Sequence, residues 1–287
     1  FAVFEVGMSR AGEIKNLSRI IQPHIGVITN IGEAHIENFQ NVYGIAKAKS
    51  EIIESIVEGG TIILNRDDKF FNYLSKKAKL YKLKILTFGH HKKADIQLKK
   101  IIKKGVFSKI FININNKIID LEIRDLNIYN VLASIAVLKV LKIDIKKIKA
   151  KLKNFESPEG RGKKYSIIRY KKKFNLIDES YNANPLSVKN AINKLSLIKK
   201  EKFKKYLILG DMLELGSKSN KYHEQLSKVI NNSDIDKVFI KGKKTIFTYK
   251  QLNKNKRGNI LQDNEDIDIS LRETISNNDH LMIKGSN

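Results

Sequence analysis

The sequence predicts an α/β protein built on parallel sheets, and three observations carry that prediction. Short apolar runs ending in polar loops recur along the chain. Helical periodicity fills many of the intervals between them. A Pro- and Gly-containing break at Ser157-Pro158-Glu159-Gly160-Arg161-Gly162 divides the pattern in two. The 287 residues suffice for about two domains, and a hydrophobic share of 41% is enough to bury real cores. No apolar run approaches the roughly 20 residues that span a bilayer, and the start lacks a basic-then-apolar signal pattern. The expectation is therefore a cytoplasmic protein without membrane insertion. The absence of Cys excludes disulfides, thiolate metal sites and a cysteine nucleophile, and it fits a reducing compartment.

In chain order, Ala2-Val3-Phe4 reads as a strand that delivers Glu5 near its end. Residues 27–31 read as a buried strand followed by the polar loop Gly32-Glu33-Ala34-His35. Residues 44–58 form a helix with Ile45, Ala48, Ile52 and Ile56 on its apolar face, and Gly59-Gly60 stops it. A strand over 61–64 ends at Asn65-Arg66-Asp67-Asp68. Residues 85–124 read as short strands, an antiparallel excursion with turns at Gly89-His90, Lys104-Gly105 and Asn115-Asn116; a helix follows over 127–141. Leu141, Ile145, Ile148 and Leu152 give the next, lysine-rich segment helical spacing. Beyond the break, strands over 174–177, 206–209, 237–240, 259–261 and 280–283 alternate with helices over 187–200, 219–232 and 265–276. Such alternation predicts a parallel sheet covered on both faces, with function gathered at the carboxyl ends of its strands. The tetrads Asp178-Glu179-Ser180-Tyr181 and Gly210-Asp211-Met212-Leu213 fall at those ends.

The formal charge of +25 suggests a polyanion partner, but its composition argues against one. Only eight of the 55 basic residues are Arg, the side chain suited to bidentate phosphate and base recognition. The Lys surplus, as in residues 146–153, sits among Ile at spacings that make it the solvated face of a helix. No nucleic-acid partner is expected. The first 50 residues are nearly neutral, with Arg10, Lys15, Arg19, Lys47 and Lys49 against Glu5, Glu13, Glu33 and Glu37, and chemistry is expected there. A strand-end carboxylate such as Glu5 can ligate a divalent metal beside a phosphate. His35, in a glycine-containing loop between Glu33 and Glu37, can ligate a metal or move a proton. A nucleotide enzyme of this layout should carry a G-x-x-x-x-G-K-[ST] loop, which is absent, as is a G-x-S-x-G nucleophile elbow. The start without Met, in the middle of an apolar run, and the stop just after another give the expectation of a fragment.

Seven segments, taken in order, carry a family resemblance. They are Glu5-Val6-Gly7-Met8-Ser9-Arg10-Ala11-Gly12-Glu13-Ile14, Ile28-Thr29-Asn30-Ile31-Gly32-Glu33-Ala34-His35-Ile36-Glu37, Ala46-Lys47-Ala48-Lys49-Ser50-Glu51-Ile52, Gly160-Arg161-Gly162, Asp178-Glu179-Ser180-Tyr181-Asn182-Ala183-Asn184-Pro185, Leu209-Gly210-Asp211-Met212-Leu213-Glu214-Leu215-Gly216 and Lys284-Gly285-Ser286-Asn287. Together they resemble the Mur ligases of peptidoglycan synthesis. The resemblance implies a partial central parallel-sheet ATPase domain over 1–157, lacking its phosphate loop, and a Rossmann-like C-terminal α/β domain over 158–287, lacking its end. It implies ATP-dependent amide formation through an acyl phosphate, and inactivity of this fragment alone. The fifth and sixth segments point to the member that adds D-alanyl-D-alanine to UDP-MurNAc-tripeptide, acting as a monomer. The alternatives are the sibling that adds the third amino acid, a folylpolyglutamate synthase relative, or a basic polyanion-binding module.

By the same resemblance, Glu5 and His35 support two magnesium ions, and Lys49 aligns with a lysine that is carbamylated in related ligases. Lys49 and His35 are then the catalytic pair. Asn127 and Asn130 match an adenine-contacting segment, although Leu126 stands where a His usually precedes the first Asn. Arg161 and Asp178 align with further nucleotide contacts. Asn182, Asn184, Asp211, Glu214 and Leu215 line the acceptor site for D-alanyl-D-alanine.

Overall fold

Each half of the chain builds its own six-stranded sheet. The computed structural model describes residues 1–104, 107–124, 126–199 and 202–286. Gly105 of one expected turn, residue 200 of one expected helix and Asn287 lie outside these. Residues 1–32 and 38–156 form one unit, and residues 33–37 and 157–287 a second.

The first unit runs α1 (Glu13–Ile21), β1 (Ile25–Ile28), α2 (Val42–Lys49), β2 (Thr61–Asn65), α3 (Phe71–Leu80), β3 (Lys84–Gly89), β4 (Ile96–Lys104), β5 (Phe107–Ile114), β6 (Lys117–Arg124), α4 (Ile128–Val140) and α5 (Lys149–Asn154). Its strands lie in chain order. β1 through β4 pair in parallel, and β4, β5 and β6 pair antiparallel, so the antiparallel excursion expected over 85–124 begins only at β4: β3 runs parallel to both its neighbours. Every residue of β2 is buried, as a parallel strand covered on both faces requires. The core joins Ile63, Phe88, Ile96, Leu98, Ile110 and Ile112 to Leu132, Ile135 and Ala136 of α4. Asn115 and Asn116 both take positive φ, the backbone of a two-residue hairpin turn that Asn tolerates.

Three expectations here need correction. Ala2-Val3-Phe4 forms no strand: Val3 and Phe4 are exposed, and β1 at that sheet edge pairs with β2 alone, so no ladder holds the segment. The helix expected over 44–58 is α-helical only to Lys49 and tightens to a 3₁₀ helix over Ser50–Ser55. The tighter winding turns Ile53, rather than Ile52, fully into the core. The segment around 145–153 likewise splits into a 3₁₀ turn over Ile145–Ile148 and the short α5.

The second unit runs β7 (Lys163–Arg169), β8 (Lys172–Glu179), α6 (Pro185–Ser196), β9 (Lys205–Gly210), α7 (Ser219–Asn231), β10 (Lys237–Lys241), α8 (Thr245–Lys250), β11 (Arg257–Ile260), α9 (Asn264–Thr274) and β12 (His280–Lys284). The spatial order is β11-β10-β9-β12-β8-β7, parallel except for the β7–β8 hairpin. β12 fills the gap between β8 and β9, so the loops after β8, β12 and β9 open side by side at one edge. Tyr206, Ile208, Phe239, Leu281 and Ile275 form the core on one face. No helix among the described residues is long and apolar enough to cross a membrane.

Leu209, wholly buried in β9 beside β12, tests this packing. Leu209→Ala is expected to lower unfolding free energy by about 2–5 kcal/mol in urea denaturation, whereas a loss under about 0.5 kcal/mol would contradict the burial.

Candidate functional site

In the first unit the carboxyl ends of β1 and β2 meet the end of α2. Asn65 Nδ2 donates to the Thr29 carbonyl at 3.1 Å, and Asp68 accepts from the N–H groups of Ile31 (2.7 Å) and Phe70 (2.8 Å). These bonds fix the loop over 29–31, and Lys49 reaches into it, its Nζ donating to the Asn30 carbonyl at 3.2 Å. Burial pushes the Lys49 amine below its ordinary pKa, and the nearby Asp68 carboxylate partly opposes the shift. A desolvated amine with a raised neutral fraction is more nucleophilic than a surface Lys.

Glu5 is exposed, in a stretch without regular structure. His35, at φ 55°, belongs with the second unit; its Nδ1 lies 2.5 Å from Glu214 Oε2, without hydrogen-bond alignment. The Glu37 N–H also donates to the Glu214 carbonyl at 3.2 Å. Among the described residues no three His, Asp or Glu side chains are placed to hold a metal ion. That is compatible with magnesium, which is commonly held by one or two protein ligands together with substrate phosphates and water.

Asn127 is the N-cap of α4, accepting from the N–H groups of Tyr129 (3.0 Å) and Asn130 (3.4 Å). Its side chain is engaged there, while Asn130 stands exposed on the first turn. Tyr129 donates to Asp67 at 3.1 Å, and burial first, then the Asp67 charge, push its hydroxyl up to about 12.

In the second unit Asp178 organises the turn after β8. It accepts from Gly160 N–H (2.9 Å), Ser180 N–H (3.1 Å) and the Ser180 hydroxyl (2.6 Å). Burial disfavours its charge, but these bonds and the nearby Lys163 outweigh that and hold its carboxyl below the usual range. The exposed Arg161 guanidinium sits 4.1 Å from the centre of the Tyr181 ring, which leaves its N–H edge available to an anion. Asn184 begins α6 with a capping box: its Oδ1 accepts from Ser187 N–H at 2.8 Å, with Pro185 at the first helical position. Asn182 is exposed beside it.

The loop after β9 is pinned from several sides. Asp211 accepts from the N–H groups of Lys244 (2.9 Å) and Thr245 (2.8 Å), so its carboxylate starts α8. Glu214 takes φ 58°, a strained value for a non-glycine residue. The Leu215 side chain is 3% exposed and packs into the unit, while Leu213 and Glu214 stand exposed on this loop.

Three contributors escaped the sequence reading. His223 is buried on α7, its Nε2 accepting from Met212 N–H at 3.0 Å while Nδ1 lies 2.8 Å from the Ser219 carbonyl. That pair of partners selects the neutral tautomer with the proton on Nδ1. Lys284 is 3% exposed; its Nζ donates to the carbonyls of Glu179 (3.0 Å) and Asn182, and burial lowers its pKa against the pull of Glu179. Ser286 follows Gly285, which approaches Gly210 so closely that a Cβ on Gly285 would come 2.9 Å from the Gly210 Cα. A polar Lys-Gly-Ser run directly after an apolar strand was the signal available for the last two.

Residues 1–138 match the Mur ligase middle domain, and residues 165–287 match the Mur ligase glutamate ligase domain, which is the family's C-terminal domain. The chain belongs to the Mur ligase family and carries these two domains. Over its whole length it is 31% identical to the UDP-N-acetylmuramoyl-tripeptide D-alanyl-D-alanine ligase of Rickettsia prowazekii, of which it spans 63%. It superposes on MurF from Acinetobacter baumannii with a TM-score of 0.87 at 25% identity, covering 99% of this chain and 61% of that one. MurF ligase from Thermotoga maritima, solved in complex with ADP, gives a TM-score of 0.85 at 24% identity, covering 98% and 62%. The chain thus spans about three-fifths of the length of these relatives.

The His223 geometry has a pH consequence. Burial holds its pKa below the ordinary value; the Ser219 carbonyl and Asp211 oppose this, and Lys244 adds to it. In the unfolded chain the imidazole titrates near 6.5. Below about that pH the unfolded state binds the extra proton, so this residue makes stability fall with falling pH until the lower folded pKa is passed. The nitrogen chemical shifts of His223 are expected to titrate with a midpoint below that of a free imidazole. A midpoint at or above the ordinary imidazole value would refute the assignment.

Proposed function

We propose that this chain forms the middle and C-terminal part of an ATP-dependent ligase that joins D-alanyl-D-alanine to the tripeptide carboxylate of UDP-N-acetylmuramoyl-tripeptide. The observation that carries the reading is the edge where β8, β12 and β9 end together, within a chain related over its whole length to a ligase of that name. Asn182 and Glu214 are exposed at that edge, on loops held by Asn184 and Asp211. They are proposed to contact the acceptor dipeptide. Asn130, positioned by the Asn127 cap, is assigned to adenine, and Arg161 with Asp178 to the nucleotide. The ADP bound to the Thermotoga relative supports a nucleotide site in this fold.

In the proposed reaction the tripeptide carboxylate attacks the γ-phosphorus of ATP, forming an acyl phosphate and releasing ADP. The free amine of D-alanyl-D-alanine then adds to the acyl carbon, and the tetrahedral intermediate collapses with loss of phosphate and a proton. Arg161, permanently charged and held by Tyr181, suits the binding of an anionic phosphoryl oxygen. Glu5 and His35 are the proposed protein ligands of two magnesium ions, which when bound would neutralise charge on the transferring group. Lys49 is proposed to become carbamylated: a partly buried, desolvated amine can add to carbon dioxide, and the product is an anionic oxygen ligand.

Two measurements check this. The natural full-length protein is expected to form ADP through repeated turnovers only when both UDP-N-acetylmuramoyl-tripeptide and D-alanyl-D-alanine are present. Turnover with UDP-N-acetylmuramoyl-dipeptide and a single amino acid would instead assign it to the sibling ligase. Native mass spectrometry after equilibration with carbon dioxide is expected to show one carbon dioxide increment that maps to Lys49 and disappears in Lys49→Arg. An unmodified spectrum would remove that lysine from the ligand set.

A further inference from the structure

The polar groups at the site edge converge on a residue with no assigned role. Ser286 Oγ accepts from Leu213 N–H at 3.2 Å and from Ala183 N–H at 3.3 Å, and its hydroxyl faces Asn182 Oδ1 at 3.2 Å with the Ala183 carbonyl at 3.3 Å. Its own N–H donates to the Asp211 carbonyl at 2.9 Å. A hydroxyl accepts two bonds and donates one, so Ser286 uses its full capacity on two loops that belong to different strands. The loop over 180–184 follows β8, and the loop over 211–216 follows β9. No direct hydrogen bond between those two loops is seen among the described residues, whereas each bonds to Ser286.

We infer that Ser286 is a positioning residue that sets the spacing between the two acceptor-binding loops and thereby tunes recognition of the D-alanyl-D-alanine dipeptide. The inference rests on the reading under Proposed function. Neighbouring features prepare the residue for the task. The close approach of Gly285 to Gly210 brings the β12 end against the β9 end, where a Cβ would force them apart. Lys284, one residue before, fastens the other loop through the Asn182 carbonyl. Ser286 therefore stands at the point where β12 can reach both neighbours, and a hydroxyl is a short side chain able to serve an acceptor on one side and donors on both. A dipeptide held between Asn182 and Glu214 would feel any change in that spacing, while a nucleotide bound through Asn130 would not.

The test separates this inference from the functional reading on which it rests. In the 287-residue chain, amide hydrogen exchange of Ser286→Ala is expected to rise at Leu213, with Ser286→Thr restoring protection; the Ala183 N–H also donates to Asn182 Oδ1 at 2.7 Å and is the weaker reporter. Exchange unchanged at Leu213 would overturn the bridge whatever the enzyme does. In the natural full-length protein, Ser286→Ala is expected to raise the KM for D-alanyl-D-alanine about tenfold, as loss of one to two hydrogen bonds gives, with the KM for ATP unchanged. Ser286→Thr should recover most of that loss. Equal losses for both substrates, or a fall in kcat alone, would make Ser286 a purely structural residue and overturn the proposal. A wild-type protein that does not use D-alanyl-D-alanine would refute the functional reading while leaving the exchange result to stand.

Discussion

The close approach of the β9 and β12 ends, glycine against glycine, is the constraint on which the C-terminal unit's site depends. A Cβ on Gly285 would come 2.9 Å from the Gly210 Cα, and one on Gly210 would come 3.1 Å from the Gly285 Cα, so a side chain at Gly285 would push the strand ends apart. With that contact made, β12 lies between β8 and β9 in parallel register, and the polar residues after each strand emerge at one edge. Lys284 and Ser286 then act over short distances that no other strand order would provide. The chemistry of the edge is thus a consequence of where the last strand is inserted.

Several polar side chains of the motifs have a structural task in their own loops. Asn184 and Asp211 accept backbone N–H groups at helix starts, and Asn127 does the same at α4. Asp178 spends its oxygens on Gly160 and Ser180. Each satisfies donors that a helix or turn leaves unpaired, and each fixes the neighbour that remains exposed: Asn182 beside Asn184, Glu214 beyond Asp211, Asn130 after Asn127.

Burial changes the meaning of the lysine surplus. Most Lys are surface charge, yet Lys205 and Lys284 are buried, with Lys205 held by Asp234 and the Ser196 carbonyl and Lys284 by two carbonyls. Lys49 is partly buried against a carbonyl and near Asp68. Composition counts these together with the solvated lysines of 146–153. Only desolvation separates a nucleophilic or structural amine from a solubilising one.

The sequence by itself determined the α/β class, the parallel strands after the break, the antiparallel excursion over β4–β6 and the family to which the chain belongs. These follow from apolar periodicity, from Asn-Asn in a hairpin and from motifs in order, all of which are local or colinear signals. It did not reveal β7, whose hairpin turns at Tyr170-Lys171 with both residues at positive φ, because neither residue type advertises that conformation. Nor did it reveal the start of α1, where Gly12 has no capping side chain and the Glu51 carboxylate, 39 residues away, accepts the Gly12 N–H instead. The bonds of Lys284 and Ser286 join residues more than seventy positions away, and those of His223 join residues 11 and four positions away across a loop. Only the tertiary structure decides which donors and acceptors a buried or strand-end side chain will meet.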